Sequence, residues 1–215
     1  MTKGTIFDMD GLLFDTEQVF QKNWQKIADE MGVVLDPEFR STICGTNGAL
    51  MNSIIERFYH VEDGQPIQEA VYRMVHEDLE KEVPEKPGLR EILKFFKENG
   101  YRIAVASSST KEQIRHNLES AGVAEYFDAL VSGKEVEHGK PAPDVFLKAA
   151  ADIGCAPEDC YVFEDAFNGV KAGYAAGSKV IMIPDMLQPT DEIRALTHHV
   201  CSSLLEAVEV LSKEI

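Results

Sequence analysis

The stretch Gly4–Thr16 reads GTIFDMDGLLFDT, and it constrains the fold more tightly than any other part of the chain. Thr5-Ile6-Phe7 is too short for a helix and is β-branched or aromatic, so it reads as a buried strand. Asp8 and Asp10 follow at once, and Gly11 lets the chain turn. In open parallel α/β sheets, ligands gather at the carboxyl ends of the strands. Both carboxylates are therefore expected at the rim of a sheet, where one group attacks and the other moves protons. An EF-hand loop starting at Asp8 would need glycine at its sixth position and glutamate at its twelfth. Leu13 and Val19 stand there, which excludes it.

A chain of 215 residues suits one α/β domain with a modest second lobe. The formal net charge of −16 argues against a nucleic-acid or anionic-membrane surface. It leaves room for a small phosphorylated metabolite, since a basic or metal-bearing pocket can sit inside an acidic shell. Cys44, Cys155, Cys160 and Cys201 have no zinc spacing and read as free thiols of a reducing compartment. No apolar run is long enough to span a bilayer, so a cytoplasmic chain is expected, a monomer or weak homo-oligomer.

From Thr16 the spacing turns helical. Val19, Phe20, Trp24, Ile27 and Met31 predict one helix ended by Gly32, and Asp36-Pro37 opens a short second one. Leu50–Tyr59 and Pro66–Glu82 follow as two more, with Cys44–Gly48 as a loop. Residues 16–83 thus form an all-helical insertion, and Val83–Gly88, stiffened by two prolines, is the return linker. Beyond it the strand–helix rhythm resumes. Strands are predicted at Tyr101–Ala106, Phe127–Val131, Cys160–Phe163 and Lys179–Ile183. Helices are predicted at Leu89–Asn99, Thr110–Ala121, Asp144–Ile153, Gly169–Ala176 and Ser202–Lys213. With right-handed crossovers this is an α/β fold, a doubly wound, Rossmann-like parallel sheet over 1–15 and 84–215.

Three further features lie at strand ends or in the loops between elements. Ser107-Ser108-Ser109 closes the second strand. Lys140 lies in His138-Gly139-Lys140-Pro141-Ala142-Pro143-Asp144, and Glu164-Asp165 ends the strand at Val162-Phe163. A phosphate-binding P-loop from Gly133 to Lys140 is rejected. Five residues separate its glycines instead of four, and Pro141 replaces the Ser/Thr that would bind magnesium. His198-His199 has no carboxylate or cysteine at ligand spacing and reads as surface or strand-edge histidine.

Together, Asp8-Met9-Asp10-Gly11, Ser107, Lys140 and Glu164-Asp165 resemble the four motifs of the haloacid dehalogenase superfamily of phosphotransferases. The similarity is to its branch with a helical cap inserted after the first strand, which holds β-phosphoglucomutases and pseudouridine-5'-phosphatase-like members. The resemblance implies a phosphomonoester hydrolase acting on sugar or nucleoside phosphates. Asp8 would become an aspartyl phosphate, and Asp10 would protonate the leaving oxygen and later deprotonate water. Repulsion between neighbouring carboxylates favours a protonated Asp10. The Ser107 hydroxyl and Ser108 amide would bond a phosphoryl oxygen, and Lys140 would offset the developing phosphoryl charge.

The same resemblance implies Mg²⁺ as cofactor, ligated by the Asp8 carboxylate, the Asp10 backbone carbonyl and Asp165, with Glu164 as a ligand or its neighbour. Thr16, Trp24, Thr46 and Asn47 are candidate substrate contacts on the cap. The rival reading is a phosphohexose mutase. Mutases of this branch carry a histidine four residues after the threonine of the first motif and an arginine in the cap loop. Phe20 and Gly48 stand at those positions and favour hydrolysis.

Overall fold

The computed structural model describes residues 2–44, 46 and 48–215, and its central element is β1, Gly4–Phe7, buried at every position. The chain divides into two units: residues up to Phe14 with Glu85–Ile215, and Asp15–Pro84.

In the first unit, β1 is joined by β2 (Arg102–Ser107), β3 (Ala129–Ser132), β4 (Cys160–Glu164), β5 (Lys179–Met182) and β6 (His199–Val200). They form one parallel sheet in the order β3-β2-β1-β4-β5-β6. Central parallel strands are covered on both faces, so they read as continuous apolar runs. Successive side chains still alternate between the faces. Ile6 enters a cluster with Ala104, Val131, Phe146 and Val162. Phe7 points the other way, stacking on Phe163 at 4.7 Å and meeting the edge of Phe96 at 6.0 Å. Phe96 lies on the helix Leu89–Glu98, whose apolar stripe at Leu89, Ile92, Leu93 and Phe96 covers that face.

The helical unit contains α1 (Thr16–Met31), α2 (Glu38–Ile43), α3 (Gly48–Tyr59) and α4 (Gln65–Lys81). With Leu89–Glu98 as α5, the helices of the sheet unit continue as α6 (Lys111–Ser120), α7 (Asp144–Asp152), α8 (Phe167–Ala175), α9 (Asp191–Arg194) and α10 (Leu204–Leu211). Within the helical unit Phe39, fully buried, meets Trp24, Phe58 and Tyr59 edge-on at 5.4–5.8 Å between centroids. The buried Tyr59 hydroxyl donates to the Trp24 carbonyl at 2.6 Å, so the one polar atom of that ring is satisfied.

α9 and β6 were not expected from the pattern. Both are too short to show a period, and local bonds make them. Thr190 caps α9 by accepting from the Ile193 amide, and β6 exists because His199 and Val200 fall in register with Ile181 and Met182. The last helix is shorter than its apolar spacing suggests. Ser203 caps it by accepting from the Glu206 amide, while Glu206 turns back to the Ser202 amide. No described helix is long and apolar enough to cross a membrane.

Candidate active site

Register brings the motif residues together. Phe7 pairs with Val105 on one side and Phe163 on the other. The next residues, Asp8, Ala106-Ser107 and Glu164, therefore emerge side by side at the carboxyl edge. The Asp8 amide extends the pairing by donating to the Phe163 carbonyl at 3.0 Å.

Lys140 reaches this edge from the loop before α7. Asp144, the first residue of α7, steadies that loop by accepting from the His138 amide at 3.2 Å and facing its Nδ1 at 3.1 Å. The ammonium then has three partners for its three donors: Asp8 Oδ1 at 2.5 Å, Glu164 Oε1 at 2.5 Å and the Ala106 carbonyl at 3.1 Å. Burial opposes the charged form, but Asp8 and Glu164 outweigh it and raise the Lys140 pKa. The second oxygen of Glu164 accepts from the Asp165 and Ala166 amides. Gly169 on α8 makes room for it, because a Cβ there would overlap the Glu164 carboxyl.

Asp10 is held by serines at the end of β2. Its Oδ2 accepts the Ser107 hydroxyl at 3.1 Å and the Ser109 hydroxyl at 2.8 Å. Ser109 is aimed there by a local turn in which its amide donates to Ser107 Oγ at 3.0 Å. The chain leaves Asp10 through Gly11 at φ +85°, a left-handed conformation that favours glycine. A side chain at Gly11 would also strike Asp165, whose Oδ2 lies 2.5 Å from the ideal Cβ position, with Asp185 Oδ2 at 3.4 Å. Asp185 is held by Lys86 at 2.8 Å, and neither side chain is more than 18% exposed.

The family model described as haloacid dehalogenase-like hydrolase matches residues 5–183, most of the chain and all of these side chains except Asp185. This chain belongs to the haloacid dehalogenase-like hydrolases. It is 28% identical to the phosphorylated carbohydrates phosphatase of Thermotoga maritima, covering 98% of this chain and 97% of that protein. It is 32% identical to hexitol phosphatase B of Escherichia coli K12, over 94% and 92%. In fold it matches the crystal structure of a proposed beta-phosphoglucomutase from Thermotoga maritima, with TM-score 0.83 and 25% identity over the whole of both chains. The chain is accordingly an enzyme of the haloacid dehalogenase phosphatase type.

Hydrolases of this family generally use a divalent metal ion, and the residues present fit one. Asp8, Glu164 and Asp165 each offer an oxygen, all within 4.8 Å of one another. Burial pushes the Asp165 carboxyl well above its ordinary range, and the charges of Glu164, Asp8 and Asp185 add to the effect. Burial likewise raises Glu164, against the pull of Lys140. Around this point Asp8, Asp10, Glu164, Asp165 and Asp185 outnumber Lys140 and Lys86. Carboxylates crowded in this way are relieved by a cation, and an all-oxygen donor set suits a hard one.

Of the residues expected from sequence, Asp8, Asp10, Ser107, Lys140, Glu164 and Asp165 converge. Ser108, expected to offer its amide to a phosphoryl oxygen, has an exposed side chain, and Ser109 joins Ser107 in donating to Asp10. Asn47 lies outside the described residues. In the helical unit Trp24 is only 2% exposed, Thr16 is buried, and the Thr46 hydroxyl donates to the Ile43 carbonyl at 2.7 Å, closing the turn after α2. A groove of about 470 Å³ lies between α1 and α2, and no motif residue lines it. The chemistry is marked by the convergent side chains.

Sequence reading did not find Ser109, Asp144, Lys86 or Asp185. Only Ser109 left a local signal, since serine hydroxyls bond the amide two residues on and orient that residue.

Proposed function

We propose that this chain is a Mg²⁺-dependent phosphomonoester hydrolase of small phosphorylated metabolites, sugar phosphates above all, working through an aspartyl phosphate on Asp8. The observation that carries this reading is Asp8 held through Oδ1 by Lys140 beside Asp10, whose Oδ2 is fixed by two serine hydroxyls. The names of the two curated relatives support the sugar-phosphate class.

In the first step an oxygen of Asp8 bonds to phosphorus and the ester bond to the leaving oxygen breaks. Asp10 gives that oxygen its proton. In the second step Asp10 takes a proton from water, the water oxygen bonds to phosphorus, and the bond to Asp8 breaks, restoring the carboxylate and releasing phosphate. Lys140 offsets negative charge throughout, and Ser107 supplies a hydroxyl donor beside the phosphoryl group. Mg²⁺ held by Asp8, Asp165 and the Asp10 carbonyl would supply positive charge to the phosphoryl oxygens. Glu164 holds Lys140 through Oε1 and backbone amides through Oε2, and would stand as a further ligand or as the neighbour of one. We assign the helical unit the part of a cap that selects the organic portion of the substrate, with Thr16, Trp24, Thr46 and Asn47 as its candidate contacts.

A phosphate-release screen over phosphorylated metabolites tests the hydrolase reading. Turnover is expected to vanish on chelation and return with Mg²⁺, and full activity after exhaustive chelation overturns the metal assignment. The likeness to a proposed beta-phosphoglucomutase favours a second reading, a mutase. Retaining a bisphosphate calls for cationic contacts. Phe20 instead packs on Tyr72 at 5.3 Å, and Gly48 carries no side chain. With β-glucose 1-phosphate and a trace of glucose 1,6-bisphosphate, no appreciable glucose 6-phosphate should form. Efficient bisphosphate-dependent isomerisation would replace the hydrolase by the mutase.

A further inference from the structure

We propose a second metal site, for a divalent ion of the Zn²⁺ class, formed by His198, His199 and Glu214 at the β6 edge of the sheet. The sequence offers the two histidines no carboxylate nearby; the fold supplies one from the end of the chain. Beyond α10 the Glu214 amide bonds the Leu211 carbonyl at 2.9 Å, and this turn carries the side chain back to the sheet. Glu214 Oε1 then lies 2.6 Å from His199 Nε2, and Oε2 lies 3.2 Å from His198 Nε2.

Neighbouring residues of a regular strand point to opposite faces. These two do not. His198 precedes the strand and is fixed by its amide bond to the Val180 carbonyl at 2.7 Å, so its ring meets that of His199 at 4.4 Å and 61°. Both distal nitrogens converge on one carboxylate, and the three ligand atoms lie within 4.8 Å of one another.

Zinc bonds of about 2.0–2.2 Å to nitrogen and oxygen put tetrahedral ligand atoms roughly 3.4 Å apart. The two nitrogen-to-carboxylate distances, 2.6 and 3.2 Å, and the 4.8 Å limit on all three ligand atoms bracket that value. Two imidazoles and a carboxylate suit zinc, whereas Mg²⁺ prefers oxygen donors and water. The side chains are 31–39% exposed, so an ion can enter and water can complete the shell. Each imidazole would bind the ion through an unprotonated Nε2, as the tautomer that carries its proton on Nδ1. β6 stands three strands from β1, roughly 14 Å along the sheet, so the site is separate from the acidic centre. A bound ion would pin the C-terminal turn to the sheet edge.

The test uses the full chain, stripped of metal and held in excess Mg²⁺ so that the acidic centre is supplied with its own ion. Zn²⁺ is titrated by calorimetry, and Co²⁺ is added as a spectroscopic stand-in. One equivalent of Zn²⁺ should bind, and Co²⁺ should give a visible band of the intensity low-coordinate cobalt shows. His199→Asn and Glu214→Gln should each weaken Zn²⁺ by about tenfold or more and abolish the band, with Mg²⁺-supported phosphatase turnover unchanged. Absence of Zn²⁺ binding, or binding of unchanged affinity in both variants, overturns the proposal.

Discussion

In the sheet unit Asp8, Glu164 and Lys140 are nearly shut off from solvent, with side chains no more than 10% exposed. In the helical unit the interior is filled by Trp24, Phe39, Phe58 and Tyr59. The contrast matters because the two kinds of burial do opposite things. A buried ion cluster contributes little net stability, since desolvation offsets the attraction. Aromatic packing contributes stability and no chemistry. Substitutions at the strand ends should therefore strike turnover first, and substitutions among the rings should strike folding first.

Asp8→Asn should show the first half of that contrast at its largest. Turnover is expected to fall by more than about 10⁴-fold, as loss of a covalent nucleophile does elsewhere. Thermal stability should hold or rise, because the change relieves repulsion with Glu164 and Asp165. A variant that keeps near-normal turnover, or that unfolds, would erase the distinction.

Lys140→Met, in the loop that reaches those strand ends, should be the exception. It leaves Asp8 and Glu164 buried without their counter-ion, which costs roughly 3–5 kcal/mol when one partner of a buried pair is removed. Urea unfolding should register that loss together with the collapse of activity. In the helical unit, Phe39→Ala should cost a similar ~3–5 kcal/mol by opening a cavity among Trp24, Phe58 and Tyr59. Hydrolysis of an aryl phosphate per folded molecule should fall far less than in Asp8→Asn. Equal losses in both assays would break the comparison.

Acid sharpens it least. Burial raises the Asp128 carboxyl, but the Ile103 amide, Arg102 and Lys97 outweigh this and hold it below the ordinary value of about 3.9. Its contribution is present above that value and is lost as pH falls through the lower folded pKa. Solvent screens the pair, so less than about 1 kcal/mol is at stake. The gap in urea midpoint between the natural chain and Asp128→Asn should shrink from pH 7 to pH 3.

What the sequence made legible was local. The apolar run before Asp8, the capping of α6 by Thr110 and Gln113, and the helical spacing of Trp24 and Ile27 are set by neighbours within a few residues. The four motifs were legible for the same reason, each being a short strand end or loop. What escaped depends on distance along the chain. Lys86 meets Asp185 and Glu214 meets His199 only once the sheet is assembled, and no spacing announces either pair. The part of Ser109 beside Ser107 escaped for another reason. Three identical residues carry no pattern, and the turn that brings Ser109 to Asp10 alongside Ser107 is a matter of backbone geometry.

The central claim is that phosphate passes through Asp8 with Asp10 moving the protons. It is tested most directly by trapping. An aryl phosphate has a leaving group that needs little protonation, so Asp10→Asn should still be phosphorylated. Its hydrolytic step, deprived of a general base, should slow by about 10²- to 10⁴-fold. Mass spectrometry of the quenched variant should then find an acid-labile phosphate on the peptide containing Asp8. A label on Ser107, Ser109 or a histidine, or steady turnover with no labelled peptide, would contradict the account.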